Sequence, residues 1–158
     1  MSRALQAVTR GLALAGGAFL IVAAIITVVS VAGRYAFGAP LPGDYELVEI
    51  ACAVGIFMFF PYTHAVGGNI SADFFTAGLS ERHRSLLDIA NDVVFAFLAL
   101  ILTWRLAAGL AEKYASGETS ILIGVPVWWS YVVAVASMAL LAVVCVLRIV
   151  AGIGALRR

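Results

Sequence analysis

The sequence predicts an all-α integral membrane protein, with four transmembrane helices and a short interfacial segment between the second and third. Three observations predict this class. The 158 residues are 63% hydrophobic and only 12% charged, roughly half the charged share of an ordinary soluble domain, so most of the outer surface must face lipid. The apolar residues fall into four long runs separated by short polar segments. Arginine and lysine concentrate on alternate connecting segments, the asymmetry expected of a chain that crosses a bilayer repeatedly. With no low-complexity stretch and no clear internal repeat, a single four-helix domain over residues 1–158 is expected.

The first span is residues 11–32, which carry no charge. At about 1.5 Å per residue this run reaches roughly 33 Å, enough for a hydrocarbon core of about 30 Å. A cleaved signal peptide is the competing reading, because Ser30-Val31-Ala32 resembles a cleavage site. The run is longer than the roughly 7–15 residues of a signal core, however. The second span is residues 46–66, with Pro61 in its last third, and the third is residues 85–111, the most polar. The fourth is residues 126–150, where Pro126 suits a first helical turn that has no use for its missing N–H. Trp128, Trp129 and Tyr131 then fall at headgroup depth, as does Trp104 at the end of the third span, and all four are expected to anchor the chain at the interface.

Orientation follows from the basic residues. Arg3, Arg10, Arg82, Arg84, Arg148, Arg157 and Arg158 lie on one side, and Arg34, Arg105 and Lys113 on the other. The positive-inside rule puts the first set, and both termini, in the cytoplasm. The loop after span two contains Asn69, Ser71, Asp73, Phe74 and Phe75 before Gly78. Asn69 or Ser71 could cap a short helix whose apolar side lies on the membrane surface.

Ionisable groups at membrane depth are costly and need a partner or a role. Asp88 and Asp92 are one turn apart on one face of span three. They either remain at the helix N-terminus, where negative charge is favourable, or meet a basic group on another helix or subunit. Arg105, beside Trp104, is expected to snorkel outward. Arg34, Glu46 and Glu49 gather at the outer surface, where an Arg34–glutamate bridge or a contact to a partner subunit would employ them. His64 reads as a hydrogen-bonding interface residue rather than a metal ligand. Cys52 and Cys145 fall in opposite leaflets, too far apart for a disulfide. Ala13 and Gly17, with Gly16 alongside, form a small-residue pair for helix packing.

The net charge of +1 gives no case for nucleic acid as a partner. No nucleophile–base pair, metal-ligand cluster or glycine-rich phosphate loop is present in the sequence, which argues against an enzyme and against a bound cofactor. The middle of every span is almost wholly apolar, unlike the polar midplane of a self-contained secondary transporter. An accessory membrane subunit is the reading that remains. The membrane anchor of a haem- or quinone-linked oxidoreductase, with His64 as the ligand, is an alternative, as is a free-standing tetraspan transporter or scaffold.

Four motifs in order carry a family resemblance over about residues 15 to 150. They are Gly33-Arg34-Tyr35-Ala36-Phe37, Tyr45-Glu46 with Glu49, Gly67-Gly68-Asn69-Ile70-Ser71-Ala72-Asp73 leading to Leu86-Leu87-Asp88, and Ile123-Gly124-Val125-Pro126-Val127-Trp128. The chain resembles the small membrane subunit (DctQ-like) of tripartite ATP-independent periplasmic (TRAP) transporters. It departs at Tyr45, where the family pattern has Trp, and at Asn69, where it has His. The resemblance implies a multi-pass subunit of the bacterial inner membrane that binds a large TRAP membrane subunit. A periplasmic substrate-binding protein would complete a sodium-coupled transporter for organic acids. The small subunit would brace the large one and hold no substrate site, catalytic residue, metal or cofactor. Arg34, Glu46, Glu49, Asp73, Asp88 and Asp92 are then the candidates for partner contacts or loop geometry.

Overall fold

The computed structural model describes residues 3–68 and 81–156. They form four helices, α1 (Arg3–Phe37), α2 (Asp44–Ala65), α3 (Glu81–Ser116) and α4 (Trp128–Leu156), each long and apolar enough to cross a bilayer. The expected interfacial segment, with Asp73, lies outside the described residues.

The helices overrun the apolar runs that mark them. With 35 and 36 residues, α1 and α3 extend over roughly 52 and 54 Å, well beyond a hydrocarbon core of about 30 Å. Their polar ends continue the helix because the backbone bonds propagate regardless of side-chain polarity. By contrast, α4 starts at Trp128, later than the sequence suggests. The residues before it form a tight hairpin: Ser120 N–H donates to Val125 O at 2.8 Å and Val127 N–H to Glu118 O at 3.0 Å. Pro126 pairs with Thr119 in this hairpin instead of opening the helix.

The packing order differs from the chain order. α1 packs on α2, α2 on α4, and α4 on α3. The middle of this layer is therefore α2 and α4, while α1 and α3 form its edges. Only 17% and 11% of the residues in the most apolar stretches of α1 and α3 are buried.

Small residues build the α1–α2 seam. Ala13, Gly16 and Ala23 are buried on α1, and Ala51 and Gly55 on α2. A Cβ on Gly16 would stand 2.8 Å from the Gly55 carbonyl oxygen, and one on Gly55 would stand 3.0 Å from that of Gly16. The two backbones are thus in contact, and helices in lipid gain van der Waals attraction by such approach. The close crossing belongs to Gly16 and not to Gly17, where a Cβ would meet only the Phe59 ring at 3.8 Å. Between α3 and α4 the core is Ala96, Ala99, Met138, Leu141, Ala142 and Cys145. Cys52 and Cys145 are both free thiols. The hydroxyls of Thr27, Thr63 and Thr103 donate to carbonyls one turn back in their own helices, at 2.7 to 3.0 Å, which satisfies them without water.

Candidate functional site

Both polar constellations of the described residues lie at the ends of the layer, one at each. We call the end at which α1 begins and α4 finishes the near end, and the opposite one the far end.

At the near end, Asp92 of α3 is buried, with a side chain only 5% exposed. Arg148 of α4 donates from Nε to both carboxylate oxygens at 3.2 Å. The same guanidinium donates from Nη1 to the carbonyl of His64, the second-last residue of α2, at 3.2 Å. The α2 helix ends here by a Schellman turn. Gly68 N–H donates to Thr63 O at 2.8 Å and Gly67 N–H to His64 O at 3.2 Å, with Gly67 at φ 69°, where a side chain would be strained. Arg148 therefore adds a cation to the negative end of a helix dipole while neutralising a carboxylate. The His64 ring is buried beside Phe95, with centroids 4.9 Å apart. Its Nε2 lies 2.9 Å from Asp92 Oδ1, a close polar contact. Three helices are thus joined by one acid and one guanidinium.

At the far end, Glu46 in the first turn of α2 reaches across to the loop before α4. Its carboxylate accepts from three successive amides, Ile121 at 2.8 Å, Leu122 at 3.0 and 3.1 Å, and Ile123 at 3.1 Å. Successive N–H groups pointing one way form a concave site for an anion, and here the anion is the chain's own. Gly43, just before α2, lets the two loops meet: at φ 73° a Cβ there would lie 2.4 Å from Ile123 Cγ2. Asp44 accepts from the hydroxyl of Ser30 on α1, and Ser30 Oγ in turn accepts from Leu41 N–H at 3.3 Å.

These contacts sort the candidates. Asp92 meets a basic group on another helix, as one of its two readings required. Glu46 is engaged with backbone amides, and no ion pair joins Arg34 to Glu46 or Glu49 among the described residues. Arg34, Glu49 and Asp88 are exposed. Trp104 and Trp129 are 69% and 60% exposed, with Arg105 near the Trp104 ring face, 6.0 Å from its centroid. Trp128 is half-buried between Tyr114 and Trp129, in edge-on contacts of 5.5 and 5.9 Å. Tyr131 packs on Gly109, where a Cβ would meet its ring at 2.7 Å.

The sequence reading missed Arg148 as the partner of Asp92, and the contact between Ser30 and Asp44. A signal for the first exists: Arg148 is the one charge within the fourth apolar run, at the same depth as Asp92 and His64. Among the described residues no group of three or more His, Cys, Asp or Glu could hold a metal ion.

No curated protein and no solved structure matches the chain. A family model described as the DctQ component of tripartite ATP-independent periplasmic transporters matches residues 23–154. That stretch takes in the second half of the chain's first span, both polar constellations and nearly all of α4, so the chain belongs to the DctQ family of transporter components.

Proposed function

We propose that this chain is the small accessory membrane subunit of a sodium-coupled TRAP transporter for organic acids, and that it braces the large transport subunit without holding substrate itself. It lies in the bacterial inner membrane with its near end, and both termini, in the cytoplasm. A periplasmic solute-binding protein completes the assembly. The observation that carries the bracing role is the open layer. α1 and α3 leave most of their apolar residues uncovered, while the buried ionic cluster is matched within the chain. The exposed rim charges Arg34, Glu49 and Asp88 are the contacts proposed for the partner; Asp73 keeps that role from the family resemblance. Glu46 and Asp92 serve the chain's own geometry. The oxidoreductase-anchor alternative is not favoured, since the Nε2 that would bind haem iron faces Asp92 at 2.9 Å.

A mild-detergent pull-down of the tagged chain from its native membrane tests the proposal. It should recover a much larger multi-span partner, and deletion of the chain should abolish sodium-dependent uptake of an organic acid. Solute transport by this chain alone in liposomes would overturn it.

A further inference from the structure

The α1–α2 pair leaves a groove of about 610 Å³ at the near end. Arg3, Gln6, Arg10 and Leu14 line it from α1, and Tyr62 and Val66 from α2. Arg3, Gln6 and Arg10 recur at intervals of three and four residues, so they share one helical face. No acidic side chain is among the described lining residues, and neither arginine forms an ion pair among the described residues. Two guanidiniums with an amide and a phenol beside them make a donor-rich pocket that suits a phosphate oxyanion.

Depth identifies the source of that oxyanion. α1 carries no charge between Arg10 and Arg34, which stand about 36 Å apart along the helix. That is slightly more than a hydrocarbon core of about 30 Å, so Arg10 lies at headgroup level. Arg3 stands about 10 Å further out. Leu14, one turn inward from Arg10 and 67% exposed, continues the same face into the apolar layer. A molecule that fills this groove is anionic at one end and aliphatic at the other.

We propose that the groove binds one anionic phospholipid. Its phosphodiester lies between Arg3 and Arg10 within reach of Gln6 and Tyr62, and an acyl chain runs down α1 over Leu14. The site goes beyond the bracing role and depends only on the chain spanning a bilayer, so it stands or falls separately from the identity of the partner.

Native mass spectrometry of the full-length chain, released from nanodiscs of equal phosphatidylglycerol and phosphatidylcholine content, tests it. One phosphatidylglycerol should be retained in preference to phosphatidylcholine by roughly tenfold or more, the scale two arginines supply near an anionic lipid. Arg3→Gln/Arg10→Gln should bring that preference below about twofold, whereas Arg105→Gln/Lys113→Gln, which removes equal charge elsewhere, should leave it in place. Adding millimolar inorganic phosphate should not displace the lipid. Equal retention of the two lipids, an unchanged preference in the Arg3/Arg10 variant, an equal loss in the control variant, or displacement by free phosphate would each overturn the proposal.

Discussion

Replacing Asp92 by Asn tests whether the near-end cluster holds three helices together. Asn keeps the shape of the side chain and removes its charge. Of the two bonds from Arg148 Nε, now 3.2 Å each, at most one to the amide oxygen would survive beside the bond to the His64 carbonyl, and the guanidinium would lose its counter-charge. Breaking one side of a fully buried ion pair costs about 3–5 kcal/mol, because the other charge is left uncompensated. Here Asp92 is buried but the Arg148 side chain is one-third exposed, so the arginine can turn partly toward water or headgroups. The expected loss is therefore lower, about 2–3 kcal/mol. Equilibrium unfolding in mixed detergent micelles measures it, followed by tryptophan fluorescence. The cycle with Arg148→Gln separates the pair from its surroundings, and should give a coupling energy of about 1–2 kcal/mol. The double variant should be less destabilised than the sum of the singles. A stability for Asp92→Asn within about 0.5 kcal/mol of the natural chain, with a coupling energy near zero, would refute the reasoning.

Gly16→Ala should destabilise the α1–α2 seam by about 1–3 kcal/mol through overpacking, whereas Gly17→Ala should be neutral in the same assay, because its Cβ would meet nothing closer than 3.8 Å. Gly43→Ala should cost about 1–3 kcal/mol, combining a left-handed φ with a collision against Ile123. Gly38→Ala, with a similar φ but open space around it, should cost only about 1 kcal/mol. Glu46→Ala frees the amides of Ile121, Leu122 and Ile123, so hydrogen exchange at these three should accelerate, on the order of tenfold. Water can replace the carboxylate at this exposed site, so the midpoint of global unfolding should hardly move.

The helices were legible in the sequence because lipid imposes length and polarity together. A run such as residues 11–32 has few other uses. The ends of the helices were not legible, since backbone hydrogen bonding continues past Arg10 and Arg34 whatever the side chains are. Asp92 and His64 stood out as polar groups within their spans, whereas Arg148 counted only among the cytoplasmic basic residues. Their meeting did not stand out, because it depends on the packing order α1–α2–α4–α3, which nothing in chain order encodes. Glu46 was singled out for its charge, but its true partner is a row of backbone amides. Such a partner leaves no mark in the side-chain pattern. Gly43 carried a similar hidden constraint, set by a loop that is distant in sequence.

The placement of the latches bears on what this layer can do. A four-helix subunit that carried a solute by rocking its own helices would open one end of the layer while closing the other. Here the middle pair is fastened at both ends. Arg148 joins α4 to the last turn of α2 and to Asp92 of α3 at the near end. Glu46 joins the first turn of α2 to the loop that enters α4 at the far end. Rocking about either end would break the latch at the other. The edge helix α1 is fixed to α2 by the Gly16–Gly55 contact and by Ser30 and Asp44. Each fastening is modest by itself, but they resist the same motion from opposite ends of the layer. A layer so tied moves as one body or not at all, which is the property the proposed brace requires of it.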